Sequence, residues 1–204
     1  MKRLLDIVVS GLGIIVASPL MLIIAACVKL YDGGPVFYLQ ERLTEGGKPF
    51  KICKFRSMCV DSEKNGARLA SKHDSRITPV GHVLRNLHLD ELPQLFNVFK
   101  GEMSLVGPRP ERQTLVHEYC REIPEFYYRL KVKAGLTGYA QVYGKYNTTP
   151  YDKLKLDLFY IENYSFLLDI KLLFMTVKIF FQKEVSEGVD DNQKNALKDS
   201  EDKK

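Results

Sequence analysis

The run GHVLRNLHLDELPQLFNVFKGEMSLVGPRPER, residues 81–112, decides how this chain is read. After Asp90 the apolar residues Leu92, Leu95, Phe96 and Phe99 recur at helical spacing and Gly101 is a natural stop, which predicts a short helix from about 90 to 100. Pro93 falls in its first turn, where a proline removes an N–H that has no intrahelical partner. Asp90 then stands at or near the cap, with Glu91 beside it. One account of the pair is local: Asp is a favoured cap, and acids in a first turn suit the helix dipole.

The neighbouring residues suggest a second account. Arg85 lies five residues upstream of Asp90, and Gly107-Pro108-Arg109-Pro110 follows, where two prolines restrict the backbone on both sides of one guanidinium. An arginine held in this way suits bidentate phosphate binding. Adjacent carboxylates repel unless a cation stands near them, and Mg²⁺ takes one or two carboxylates together with substrate phosphates. An Asp can also attack phosphorus as a covalent nucleophile. Acids, magnesium and arginines together point to phosphoryl chemistry on an anionic substrate.

The string HLDELPQLFNVFKGEMSLVGPRPE, residues 88–111, resembles the core motif of the bacterial sugar transferases, the monotopic phosphoglycosyl transferases that begin glycan assembly on a polyprenyl phosphate. The resemblance runs from Lys2 to about Gln182. It implies an enzyme of the cytoplasmic face of the bacterial inner membrane that moves a sugar-1-phosphate from a UDP-sugar to polyprenyl (undecaprenyl) phosphate and releases UMP. Asp90 would be the nucleophile, Glu91 would ligate Mg²⁺, and Arg85 and Arg109 would offset phosphate charge. Arg56, Lys133, Gln141 and Lys145 occupy motif positions that imply substrate binding. Two alternatives stand beside it: a membrane-tethered, Mg²⁺-dependent phosphohydrolase that keeps the acids and the metal, and a non-catalytic adaptor that uses the basic body and amphipathic ends at a membrane surface.

The remaining features bear on these readings one by one. The chain is long enough for one compact domain plus an appendage. Its net charge of +5 hides a segregation, since residues 1–182 carry +7 and the last stretch is acidic. A basic body suits phosphates or anionic lipid. Nucleic acid is not expected, because Lys and Arg are scattered and no groove-reading motif is present. Cys27, Cys53, Cys59 and Cys120 show no paired spacing, and free thiols in a reducing compartment are expected. His73, His82, His88 and His117 show no metal spacing.

Leu4 to Val28 is an apolar run with Ser18-Pro19 near its middle, flanked by Lys2 and Arg3 on one side and Lys29 on the other. Its length permits a membrane span, and positive residues prefer the cytoplasmic side. A helix broken at Ser18 and Pro19 that enters and leaves one leaflet satisfies both flanks, and the family resemblance implies the same re-entrant segment. A kinked spanning helix and a lipoprotein signal ending at Cys27 are the other readings. Pro19 must free the carbonyl of Ile15, which Ser18 or a bend can accommodate.

After the exit at Asp32-Gly33-Gly34-Pro35, VFYLQERL and PFKICKFRSM around Glu45-Gly46-Gly47-Lys48 predict a β-hairpin. Alternation puts Lys51, Cys53 and Phe55 on one side and Ile52, Lys54 and Arg56 on the other. Arg56 is placed to reach the site by resemblance to the family's KFRSM ending, while a solvated basic face also accounts for Lys48, Lys51 and Lys54. Residues 61–78 read as a polar loop. Gln113 to Arg129 predicts one or two amphipathic helices interrupted at Pro124, with apolar faces that suit the core or a membrane surface, core being the default.

Lys131 to Val142 is a glycine-punctuated turn of the kind that approaches phosphates closely. It resembles the family's element with two departures, Ala134 for a proline and Lys145 for an arginine. Tyr151 to Gln182 is helical in character, and Phe166 to Phe181, with Lys171 and Lys178 on one stripe, suits an interfacial helix or a buried core helix. The expected fold is α+β and mainly helical: residues 1–32 a re-entrant membrane segment, 33–182 a catalytic domain with a small hairpin and interfacial helices, and 183–204 a disordered tail. The sugar, the polyprenol length, the glycan pathway and the oligomeric state, a homodimer included, are not legible.

Overall fold

The computed structural model describes residues 1–60, 62, 74–144 and 148–181. The expected tail and most of the 61–78 loop lie outside them. The chain begins with α1, Lys2–Asp32, a 31-residue helix that is long and apolar enough to cross a membrane by length and composition. Its helical assignment continues through Ser18 and Pro19, so the expected break is not a gap in the helix. Pro19 cannot bond the carbonyl of Ile15, and Ser18 Oγ donates to that oxygen at 2.8 Å. Gly33 closes α1, its N–H donating to Lys29 O.

Both ends of α1 are tied to the same body. At the start, Lys2 Nζ donates to Val106 O, Tyr160 Oη and Asp169 Oδ2, and Asp6 Oδ1 accepts from Ser104 Oγ and Leu105 N. At the far end Met21, Ile24 and Val28 pack with Phe55 and Leu84, and Asp32 pairs with Arg56. No residue between Ser10 and Met21 is buried. Leu4, Leu12, Ile15, Val16, Leu22 and Ile23 leave an apolar face exposed, Val16 by 79%.

The hairpin forms as the alternation predicts. Strand β1, Phe37–Leu43, pairs antiparallel with β2, Pro49–Phe55, with Gln40 opposite Ile52 and Glu41 opposite Lys51. Helix α2, Pro79–Asn86, opens with Thr78 as N-cap, its hydroxyl accepting from Gly81 N, and with Pro79 at the first position. Helix α3 is shorter than expected, Gln94–Lys100, because Leu89–Glu91 forms a separate 3₁₀ turn entered through His88 at positive φ. Pro93 is the N-cap of α3, so Asp90 is not. Gly101 ends α3 at φ 90°, a conformation that glycine enters without the Cβ clash of other residues.

The pair β3, Ser104–Val106, and β4, Gly135–Thr137, is parallel, which the sequence did not suggest. Helix α4, Gln113–Glu122, and the 3₁₀ segment Pro124–Lys131 match the expected interruption, with Val116, Phe126 and Leu130 in the core. A five-residue α5, Tyr139–Tyr143, precedes α6, Pro150–Glu162, and α7, Phe166–Phe181. Helix α7 buries Asp169 and Leu172 and exposes Leu167, Lys171, Phe174, Val177 and Lys178, so one face is core and the other carries the lysine stripe among apolar groups. The architecture is thus mainly helical α+β with a small hairpin, and the four cysteines are unpaired.

Helix α3 lies between the hairpin and α1. Gly11 and Gly13 of α1 face Phe99 and Leu95, while Val98 joins Phe50, Ile52, Met103, Leu105, Val106, Tyr160 and Leu172 in the main core. The backbones of Gly107 and Gly135 meet so closely that a Cβ on Gly135 would lie 2.1 Å from Gly107 N. Gly135→Ala must separate β3 from β4, and overpacking of this kind costs about 1–3 kcal/mol or more. A lowered thermal midpoint in detergent is the expected result, and an unchanged midpoint would mean that the two segments are not held together as described.

Candidate active site

The acidic turn is wedged in place by its leucines. Leu89 and Leu92 pack against the cluster of Met21, Ile24, Val28, Phe55 and Leu84, which fixes Asp90 and Glu91 beside the second half of α1. Asp90 is buried and Glu91 is 13% exposed. Two cations meet at one oxygen of Glu91: Lys54 Nζ from β2 and Arg109 Nη2, at 2.7 Å, from the proline-rich loop. Burial by itself raises the pKa of the Glu91 carboxyl. The charges of Arg109 and Lys54 and the hydrogen bonds they donate outweigh it and hold the group well below its ordinary 4.5. Glu91 is therefore ionised throughout the neutral range.

Arg109 is brought to the pair as the sequence suggests. Arg85, on α2, makes one hydrogen bond among the described residues, from Nε to Ser57 Oγ at 2.9 Å. It stands in the element immediately before the acidic turn. Arg56 is placed elsewhere: Nη1 and Nη2 grip both oxygens of Asp32, and Nε donates to Pro35 O at 2.6 Å. It straps the exit of α1 and is not joined to the acidic pair, because a guanidinium this fully engaged has no fork left for a phosphate.

Lys133 lies at the other end of α3. Its Nζ donates to Gly101 O at 2.8 Å, and Arg3 donates to Val98 O and Phe99 O, each at 2.7 Å. Both cations cap the C-terminal carbonyls of α3, as the helix dipole favours. They also line a cavity of about 290 Å³ with Lys2, Tyr160 and Tyr164. Gln141 donates Nε2 to Leu136 O, and its Oε1 is buried without a partner among the described residues. Gln94 Nε2, one turn past Asp90, is likewise buried and unmatched. Lys145 lies outside the described residues.

Lys54 is the site residue that the sequence reading assigned to a solvated face. The signal was present in the alternation, which puts Lys54 on the side of Ile52, a core residue. A lysine following a core residue on the same strand face must find a counter-charge, and Glu91 supplies it.

A model of the family described as bacterial sugar transferase matches residues 1–183. The chain belongs to that family. It is 47% identical over 180 residues, 87% of this chain and 43% of the relative, to the UDP-N-acetylgalactosamine-undecaprenyl-phosphate N-acetylgalactosaminephosphotransferase of Aeromonas hydrophila. It is 42% identical over 182 residues, 87% of this chain and 39% of the relative, to the UDP-glucose:undecaprenyl-phosphate glucose-1-phosphate transferase of Escherichia coli K12. A sugar transferase of Bacillus subtilis is 39% identical over 93% of this chain and 90% of its own length. The chain therefore spans about two fifths of the first two relatives and nearly all of the third.

The ion pairs of Glu91 tie stability to pH. The folded state holds this proton less tightly than the unfolded chain, so the contribution is complete above about pH 4.5 and is lost as the pH falls below it. Glu91→Gln is expected to be less stable than the wild type at neutral pH and to lose less on acidification. Denaturant titrations on both sides of pH 4.5 check this, and parallel curves for the two proteins would show that Glu91 carries no such linkage.

Proposed function

We propose that this sugar transferase family member is a phosphoglycosyl transferase that passes a sugar-1-phosphate from a UDP-sugar to a polyprenyl phosphate. The observation that carries the reading is the buried acidic pair, with Glu91 bridging Lys54 and Arg109, set beside a helix whose exposed face is apolar. The names of the relatives agree with it, and they differ in the sugar moved.

In the proposed reaction an Asp90 oxygen bonds to the β-phosphorus of the donor while the bond from that phosphorus to the bridging oxygen breaks. UMP leaves with the electron pair, and the phosphosugar is held on the carboxylate. An oxygen of polyprenyl phosphate then attacks the same phosphorus and releases the Asp90 carboxylate. Arg109, Arg85 and Lys54 offset the charge that develops on the phosphoryl oxygens. Glu91 and Asp90 fit Mg²⁺, which prefers oxygen donors and few carboxylates, and these two side chains would hold it. The ion, when bound, would draw charge from the diphosphate.

A covalent intermediate is testable directly. Detergent-solubilised protein mixed with Mg²⁺ and a panel of UDP-sugars, without lipid acceptor, is expected to gain a phosphosugar mass by intact-protein mass spectrometry, and Asp90→Asn to gain none. Product formation without any adduct would point to direct transfer. Continued donor turnover at full rate without a lipid acceptor would favour the phosphohydrolase.

For the membrane we propose that α1 enters and leaves one leaflet, bending at Ser18 and Pro19, with the catalytic body on the cytoplasmic face of the inner membrane. A spanning helix would put one end on the far side of a hydrocarbon core about 30 Å thick, whereas both ends of α1 bond to the same body. The exposed Lys171 and Lys178 of α7 suit contact with lipid phosphates. Tags at the N- and C-termini are expected to be cleaved by added protease in inverted vesicles and protected together in right-side-out ones. Cleavage of the two tags from opposite sides would establish a span.

A further inference from the structure

The loop that carries Arg109 cannot hold itself. Pro108 and Pro110 have no N–H to donate, so the segment must be fixed through its carbonyls by donors from outside. All four consecutive carbonyls are engaged. Pro108 O accepts from Gly135 N at 2.9 Å, Arg109 O from Arg129 Nη2 at 3.0 Å, Pro110 O from Arg42 Nη1 at 3.3 Å, and Glu111 O from Leu43 N at 3.1 Å. The backbone donors come with the strands on either side. Of the two arginine donors, Arg129 is the one that bonds residue 109.

Arg129 is itself held by Asp157 of α6, whose Oδ2 accepts from Nε at 3.1 Å and Nη2 at 2.8 Å. Both side chains are nearly inaccessible, at 3% and 2% exposure. The ring of Phe126 lies 4.8 Å from the guanidinium, and Glu111 Oε1 is 3.8 Å from Nη1. A buried ion pair is a poor source of stability, since apolar residues of similar volume serve as well or better. Here it orients a donor: one nitrogen, Nη2, bridges Asp157 and the carbonyl of Arg109. A continuous line of bonds therefore runs from Asp157 through Arg129 and the backbone of Arg109 to the Arg109 guanidinium and Glu91.

We infer that Arg129, fixed by Asp157, is a positioning residue that aims the Arg109 guanidinium at the phosphates of the nucleotide-sugar donor. The inference rests on the role given to Arg109 under Proposed function. It assigns to α6 and to the 3₁₀ segment Pro124–Lys131 a part in donor binding, although they touch no substrate. Lysine cannot replace Arg129, because a point charge beside Asp157 lacks the planar fork that spans both partners.

A double-mutant cycle tests it. Arg129→Met with Asp157→Leu removes the pair without leaving a lone buried charge, and its thermal midpoint in detergent checks that it folds. In the wild-type background this change is expected to lower kcat/KM for the UDP-sugar by about tenfold, within the range of couplings inside one network. In an Arg109→Ala background it is expected to cost less than about twofold, because the group it aims is gone. Arg129→Lys runs the same cycle should the double change fail to fold. Equal losses in both backgrounds, or no loss in the wild type, overturn the inference and make the pair purely structural. A separate failure is visible in the reference variant: full transfer by Arg109→Ala would remove the donor-binding role of Arg109 and the inference with it.

Discussion

One carboxylate oxygen, Oε1 of Glu91, brings three parts of the chain together. A carboxylate this little exposed needs opposite charge at contact distance, and its two cations come from β2 and from the proline-rich loop. The hairpin, the acidic turn and the loop must therefore converge, and the apolar core is built so that they do. Ile52 and Phe50 sink one face of β2 into the core, which carries Lys54 inward on the same side. Leu89 and Leu92 sink the acidic turn against α1. The contact of Gly107 with Gly135 brings the loop up against β4. Each of these is ordinary packing, and the charge cluster is where they meet.

The same economy appears in α1. A helix exposing Leu4, Leu12, Val16 and Ile23 has no reason to stay on a water-soluble body, yet it carries Lys2, Asp6 and Ser10 on one face near its start. Asp6 and Lys2 find buried partners in β3, α6 and α7, so the polar groups register the helix and the apolar face is left for another medium. Between Ser10 and Met21 the helix has no buried residue, and Ser18 supplies the carbonyl partner that Pro19 removes. The stretch without a buried residue still rests on α3 through Gly11 and Gly13, and its proline carries its own carbonyl partner in Ser18.

What the sequence revealed follows from the range over which each signal acts. Local chemistry was legible: the hairpin glycines, the stop at Gly101, the interruption at Pro124 and the limits of α7 were all read from neighbouring residues. The acidic pair was misplaced at the helix cap, because positive φ at His88 starts a separate 3₁₀ turn that helical spacing does not encode. The partners of Arg56 and Lys54 were not legible for a related reason. Which basic residue of KFR meets an acid depends on where Asp32 and Glu91 arrive from, 24 and 37 residues away. The parallel pairing of β3 with β4 joins segments about 30 residues apart and too short to show any alternation. Lys133, which its glycine neighbours suggested for phosphate, donates in the fold to the helix end at Gly101 O, a contact that no local spacing encodes.

The proline-rich loop shows why the motif cannot carry the chemistry alone. Its prolines remove conformational freedom around Arg109, but they also strip the segment of donors, so its carbonyls depend on β1, β4 and the Pro124–Lys131 segment. Arg129 in turn depends on Asp157, which places α6 in the same chain of dependence. Helix α6 meets the start of α1 through Tyr160, whose hydroxyl, pushed up by burial and by the neighbouring Asp169 carboxylate, stays protonated and donates to Asp169. A contiguous run of residues near position 100 is thus recognisable at a glance, while the geometry that lets it act is distributed from Lys2 to Asp169. Helix α6 serves both ends of this arrangement, since Tyr160 bonds Lys2 of α1 and Asp157 holds the arginine that bonds the Arg109 carbonyl.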